Sequence, residues 1–372
     1  MLTGTVAIVL TRVLKRDIAF FNKTNAVTAR DVEAQSLIRS NNDGMQTDGG
    51  WKALAGDVFR KPKYPLLLAI MVGSGEQVML MTLASIILSA VGLANPAMHR
   101  SLTNSSIFFF AVLGWVNGYD SARWYRYFEG TDSFKTHVIK TALYYPAFNF
   151  AIFLIVDLVI WADSGTEASN AVPFGTFLML IAIFSALSCP MVYLGAYYGY
   201  GKAAPITVPV EVRTIPRLVP TKPWYARKWA VLVLSGGIVF MSAFLEMTVI
   251  MSAVWGHRIY FAFGFLLITF GLTMIVSAEM AILVVYTRLV LEDYNWWWIS
   301  FVAPASSGVV LFLYSTWFFA MELHVAATWT SCAMYFGYML LLSSALAMMT
   351  GFMGFTACFL FLRTIYAAIK SD

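Results

Sequence analysis

Apolar runs long enough to cross a bilayer recur along the chain, each ended by charged residues or by a break rich in Pro, Gly or Asn. A spanning helix needs about 20 mostly apolar residues. The runs fall at 1–14 (short), 66–94, 105–121, 138–162, 173–199, 229–255, 259–287, 299–321 and 329–362. This pattern predicts an all-α polytopic membrane protein of about nine transmembrane helices. Only 12% of the 372 residues are charged and 59% are hydrophobic, roughly half the charged share of a soluble domain. Such a balance excludes a cytosolic enzyme, a disulfide-rich secreted module and a disordered regulator. The last run would measure roughly 50 Å as a helix, more than the hydrocarbon thickness. It must therefore tilt, protrude or break near Gly351 and Gly354.

The loops give an independent check, because Lys and Arg gather on the cytosolic side of a membrane. All of the 25 basic residues except Arg100 and Arg258 fall on one side of the nine-span arrangement. The N-terminus is thus expected at the lumenal face and the C-terminus in the cytosol. The formal charge of +5 records that direction rather than an affinity for nucleic acid. The chain divides into a short first helix (1–14), a cytosolic loop (15–65), helices two to five (66–199), a basic Pro-rich loop (200–228), helices six to nine (229–366) and a cytosolic tail (367–372). The first stretch has no basic n-region or small-residue cleavage site, which argues against a signal peptide. It reads as the remainder of a longer protein. Pro205, Pro209, Pro216, Pro220 and Pro223 make the 200–228 loop an extended strap, and its basic residues suit anionic membrane lipids. Trp296, Trp297 and Trp298 are expected to form an interfacial anchoring belt.

Several local sequences carry a family resemblance. They include GWKALAGDVFR at 50–60, GSGEQ at 73–77, GYDSARWY at 118–125, YLGAYYGYGK at 193–202 and IPRLVPTKPWY at 215–225. FLEM at 244–247, YFAFGFL at 260–266, EDYNWWWISF at 292–301, YFGYMLLLSSA at 335–345 and TGFMGFTACFLFLRTIY at 350–366 continue the series. In order and spacing the chain resembles the membrane domain of the nonaspanins, the transmembrane 9 superfamily, without their N-terminal lumenal domain. The resemblance implies a nine-span protein of Golgi and endosomal membranes with no enzymatic activity. It also implies a role in sorting other transmembrane proteins that carry glycine-rich segments. Two positions depart from the family pattern: Glu76, where an apolar residue is usual, and Asp120, where Thr is usual.

Within that frame, Lys370 and Asp372 resemble the family's KxD signal, which engages the coatomer coat from a free cytosolic tail. Acids inside spans are functional suspects, since a charge at the bilayer centre costs at least about 2.5 kcal/mol. These are Glu76, Asp157, Glu246 and Glu279, and no Lys or Arg lies deep in a span to pair with them. They could serve a proton, ion or polar-cargo path, or act as hydrogen-bonding glue between helices. Gly114/Gly118 and Gly195/Gly199 have GxxxG spacing, and with Gly73 and Gly75 they permit close backbone approach. They suit either packing of the chain's own helices or a groove for a client's glycine-rich helix. Cys189, Cys332 and Cys358 sit in apolar runs as core thiols. No HxxxH or CxxC spacing points to a metal, and nothing implies a cofactor. The resulting expectation is a non-enzymatic sorting factor that binds client transmembrane proteins laterally, with a secondary transporter or ion pathway as the alternative.

Overall fold

The computed structural model describes residues 54–92, 99–130, 133–164, 174–210, 212–213, 215–220, 223–255, 263–321 and 329–368, together with Ile8 and Arg12. The long elements are all helical: α1 (Pro65–Ala90), α2 (His99–Tyr127), α3 (Phe134–Ser164), α4 (Phe174–Ile183), α5 (Cys189–Gly201), α6 (Lys228–Trp255), α7 (Phe263–Val290), α8 (Trp297–Met321) and α9 (Trp329–Ala368). A π-helical turn, Phe184–Ser188, joins α4 to α5 into one continuous span. Among the described residues seven spans are long and apolar enough to cross a membrane. α2 is equally long but more polar, and it lies between two of those spans. The run at 1–14 and the loop up to Trp51 lie almost wholly outside the described residues.

α9 is the hub of the bundle and packs against α8, α7, α1 and α3. It is an unbroken helix of 40 residues, which removes a break near Gly351 and Gly354 from the three alternatives and leaves tilt or protrusion. Both glycines are contact points. A Cβ on Gly351 would come within 2.7 Å of the Phe301 ring, and one on Gly354 within 2.7 Å of the Ser300 carbonyl oxygen. Beside them Thr350 donates to the Pro304 carbonyl at 3.1 Å. Pro304 interrupts the α8 ladder, since proline brings no N–H. The Pro304 ring in turn lies against Gly354, where an added Cβ would come within 2.5 Å of it.

The three consecutive tryptophans correct a second expectation. Trp296 and Trp297 are 0% and 2% exposed, so they are not a surface belt. Their indole N–H groups donate to the carbonyls of Val58 and Arg60, both at 2.7 Å, and Trp298 donates to Lys63 at 2.5 Å. This ladder pins the segment that leads into α1. Rings of Trp124, Phe128, Phe355 and Phe359 pack around Trp297. Indoles are large apolar groups that need one donor satisfied when buried, and a segment outside regular structure supplies the free carbonyls.

After Gly201 the described residues up to Arg227 lie outside regular structure apart from a 3-10 turn at Trp224–Ala226, in keeping with the prolines of this segment. It is tied down along its length. The Arg213 N–H donates to the Gly56 carbonyl at 2.8 Å, and Arg60 donates to the Arg213 carbonyl at 2.8 Å. Arg363 donates to Thr207 at 3.2 Å, and Arg217 pairs with Glu292 at 3.0 Å. Ile206, Val208 and Val210 pack on the core. The strap therefore closes the basic end of the bundle.

Candidate functional site

The two GxxxG pairs face each other. A Cβ on Gly118 would collide with the Val192 carbonyl oxygen and approach the Ala196 nitrogen at 2.9 Å, while one on Gly195 would collide with the Trp115 carbonyl oxygen. Gly114 abuts Val192 and Ser188, and Gly199 abuts Tyr119 and Ala122. α2 and α5 thus approach backbone to backbone, which small residues at four-residue spacing allow in a bilayer. Gly73 faces Asn117 and Ser121 of α2, and Gly75 faces Met348 and Phe352 of α9. All six glycines lie against this chain's own helices.

Glu76 and Asp120 meet across the α1–α2 contact, with their carboxyl groups side by side. Arg123 Nη1 lies 3.8 Å from Asp120 Oδ1. Of the four acids expected to lack a basic partner, Glu76 alone is brought near one, because α2 continues to Tyr127 and carries Arg123 beside Asp120. A buried polar seam extends from the pair. Asn117 Nδ2 donates to Gln77 Oε1 at 2.9 Å, and Gln77 Nε2 donates to the Phe110 carbonyl at 2.7 Å. Ser121 Oγ lies 3.0 Å from His137 Nε2, whose ring stacks on Tyr125. One oxygen of Glu76, Asn117 Oδ1 and Ser74 Oγ are buried without a hydrogen-bond partner among the described residues. The two positions that depart from the family pattern are therefore one structural feature.

The other acids lie on other helices than Glu76 and Asp120. Asp157 is half-buried on α3, Glu246 is buried on α6 at 1% exposure, and Glu279 on α7 has one buried oxygen without a partner among the described residues. Among the described residues no group of three His, Cys, Asp or Glu side chains could hold a metal. Cys358 is buried and Cys189 and Cys332 are partly so, all as free thiols. Lys370 and Asp372 lie outside the described residues.

A feature the sequence did not reveal is an apolar cleft of about 630 Å³ between α2, α3 and the α4–α5 span. Ile107, Phe110, Ala147, Phe150, Leu180 and Phe184 are among its walls, and Asn149 and Ser188 supply isolated polar atoms. Its shape follows from backbone irregularities. Pro146 removes a rung from the α3 ladder, and the π turn shifts the register between α4 and α5. α4 meets the rest of the bundle chiefly through that turn and the Phe150–Phe177 ring contact at 4.8 Å. Of the seven candidate spans, α3 and the α4–α5 span beside the cleft are the least covered, with 17% and 11% of their apolar stretches buried.

Fold and site together define a polytopic all-α membrane protein with a closely packed bundle and an open lateral face. The family model of Endomembrane protein 70 matches residues 1–328, and the chain belongs to that family. It is 36% identical to transmembrane 9 superfamily member 10 of Arabidopsis thaliana over 371 residues, which cover 100% of this chain and 55% of the relative. Against members 2 and 4 of Homo sapiens the identities are 33% and 34%, again across 100% of this chain and over 53% and 54% of those proteins. The chain spans about half the length of the curated relatives it matches. No solved structure matches it. Family membership and the spans together make it a multi-pass integral membrane protein of the Golgi and endosomal system.

Proposed function

We propose that the protein is a sorting factor that holds client transmembrane helices in the lateral cleft between α2, α3 and the α4–α5 span. The observation that carries this reading is the cleft itself, an almost wholly apolar recess bounded by the two least covered helices. A helix with small residues on one face could approach its floor closely, and interhelical contact in lipid rests on such approach. The six glycines are less suited to that role, because the chain's own helices already occupy them. Asn149 is likewise engaged within the chain, donating to the Tyr145 carbonyl and accepting from Ser344, so it braces the cleft wall and leaves the recess apolar. Lys370 and Asp372 would return the loaded protein through the coatomer coat. A photo-crosslinker at Leu180 should capture glycine-rich client segments in cells, and Ala147→Trp should abolish capture while expression is unchanged. Undiminished capture with Ala147→Trp would refute the cleft as the client site.

A second reading, an ion or proton pathway, draws support from the contact between Glu76 and Asp120 and the polar seam around them. It requires flux through the purified protein in liposomes that falls with Glu76→Gln. Client capture without flux would leave sorting as the function.

A further inference from the structure

A second cavity, also about 630 Å³, opens at the basic end of the bundle between the segment entering α1, the start of α6, the end of α7 and the start of α8. Arg60, Lys61, Lys63, Lys228 and Arg288 all line it, and no carboxylate does. Three of these cations are answered from outside the cavity: Arg60 by Asp57, Lys61 by Glu129 and Arg288 by Asp293. Among the described residues no carboxylate pairs with Lys63 or Lys228. Two positive charges therefore remain uncompensated around one recess.

Arg288 supplies an independent sign of a ligand. It is 3% exposed, and Nη1 donates to Asp293 Oδ2 at 3.0 Å. Asp293 Oδ1 is occupied by the N–H and side-chain amide of Asn295, both at 3.1 Å. Nε and Nη2 of Arg288 have no partner among the described residues. A buried guanidinium with unmet donors is unfavourable unless an acceptor enters, and phosphate oxygens match its fork. The walls are held in place for such a guest. Trp297 and Trp298 fix the carbonyls of Arg60 and Lys63, so the rim cations hang from a pinned backbone.

The rest of the lining includes the apolar side chains of Leu67, Leu232, Ile299 and Val302, which belong to the candidate spans α1, α6 and α8. Trp229, next to Lys228, is 59% exposed, as suits a residue at the membrane interface. A ligand that meets cations at its head and these side chains along its length is a lipid. We infer that this recess binds the headgroup of a phosphomonoester-bearing phospholipid, of the phosphoinositide class, from the leaflet at the basic end of the protein. A phosphomonoester carries about −1.5 to −2 charge at neutral pH, matching the uncompensated Lys63 and Lys228, whereas a phosphodiester carries less. This inference is independent of client sorting and of the lateral cleft.

Native mass spectrometry of the full chain, from nanodiscs of phosphatidylcholine doped with either phosphatidylserine or a monophosphorylated phosphoinositide, tests it. The phosphoinositide should be retained preferentially. Retention should fall about tenfold in Lys63→Gln/Lys228→Gln, and comparably in Arg288→Lys, which keeps a charge for Asp293 but loses the spare donors. Lys202→Gln, elsewhere on the basic end, should leave it unchanged. Equal retention of phosphatidylserine, full retention in both variants, or complete competition by soluble inositol phosphate would overturn the inference. Should the variants fail to fold, thermal protection of the unaltered chain decides: greater protection by the phosphoinositide than by phosphatidylserine is expected, and equal protection refutes it.

Discussion

The part of the bundle around α9 and the part around α3 and α4 are built by different rules. In α9, 61% of the apolar stretch is buried within the protein, whereas in the α4–α5 span the figure is 11%. Around α9 the contacts are interlocking. Gly308 of α8 lies against Ser343 and Ala347, Gly351 receives the Phe301 ring, and Ser307 lies 3.2 Å from Thr350. Around α4 the surface is mostly lipid-facing leucine, isoleucine and methionine: Leu178, Met179 and Ile181 are all at least 40% exposed. In lipid there is no hydrophobic drive to cover such residues, so association depends on close packing and polar contacts. α4 has few of either. The difference separates a scaffold that cannot change without unfolding from a face that can exchange one apolar neighbour for another.

That contrast is open to direct attack. Gly118→Leu should do the most damage, because the side chain would enter the Val192–Ala196 backbone. A loss of about 3 kcal/mol is expected from such overpacking, measured by unfolding in mixed detergent micelles. Trp296→Phe keeps an aromatic side chain but removes the indole N–H and leaves the Val58 carbonyl without that donor in a buried place. Its cost should be roughly 1–3 kcal/mol, with faster hydrogen exchange confined to residues 54–63. Arg217→Gln removes an ion pair with partners 39% and 28% exposed, so less than about 1 kcal/mol is at stake. Ala147→Leu, on the cleft wall, should change stability by no more than about 0.5 kcal/mol while weakening client capture. A large stability loss there would mean that the cleft is part of the scaffold and would erase the distinction between the two regions.

The sequence made the helical architecture legible because spans in a bilayer are long and apolar and their loops carry the basic residues. It also exposed the GxxxG pairs, though not that one pair packs on the other, since spacing names a face without naming its neighbour. Trp296 and Trp297 are ambiguous in sequence for a similar reason. A tryptophan run at a span end looks the same whether it meets headgroups or backbone carbonyls, and the Val58 carbonyl lies 238 residues away in the chain. Arg288 looked like a loop residue because the apolar run stops at Thr287, yet α7 continues through Val290 and buries it. Glu76 and Asp120 each stood out as a departure from the family pattern, and only the antiparallel contact of α1 and α2 reveals them as partners. The cleft had no sequence signal beyond Pro146, since a π turn is set by packing rather than by residue type.

The central claim is that the lateral face between α3 and α4 receives client helices while the rest of the lipid-facing surface does not. Site-specific photo-crosslinking in intact cells tests it with two positions of similar chemistry: Leu180 on the cleft wall and Leu313 on α8, which is 61% exposed. The account predicts adducts with glycine-rich transmembrane segments from Leu180 and none above background from Leu313. Equal adducts from both positions, or adducts from Leu313 alone, would contradict it.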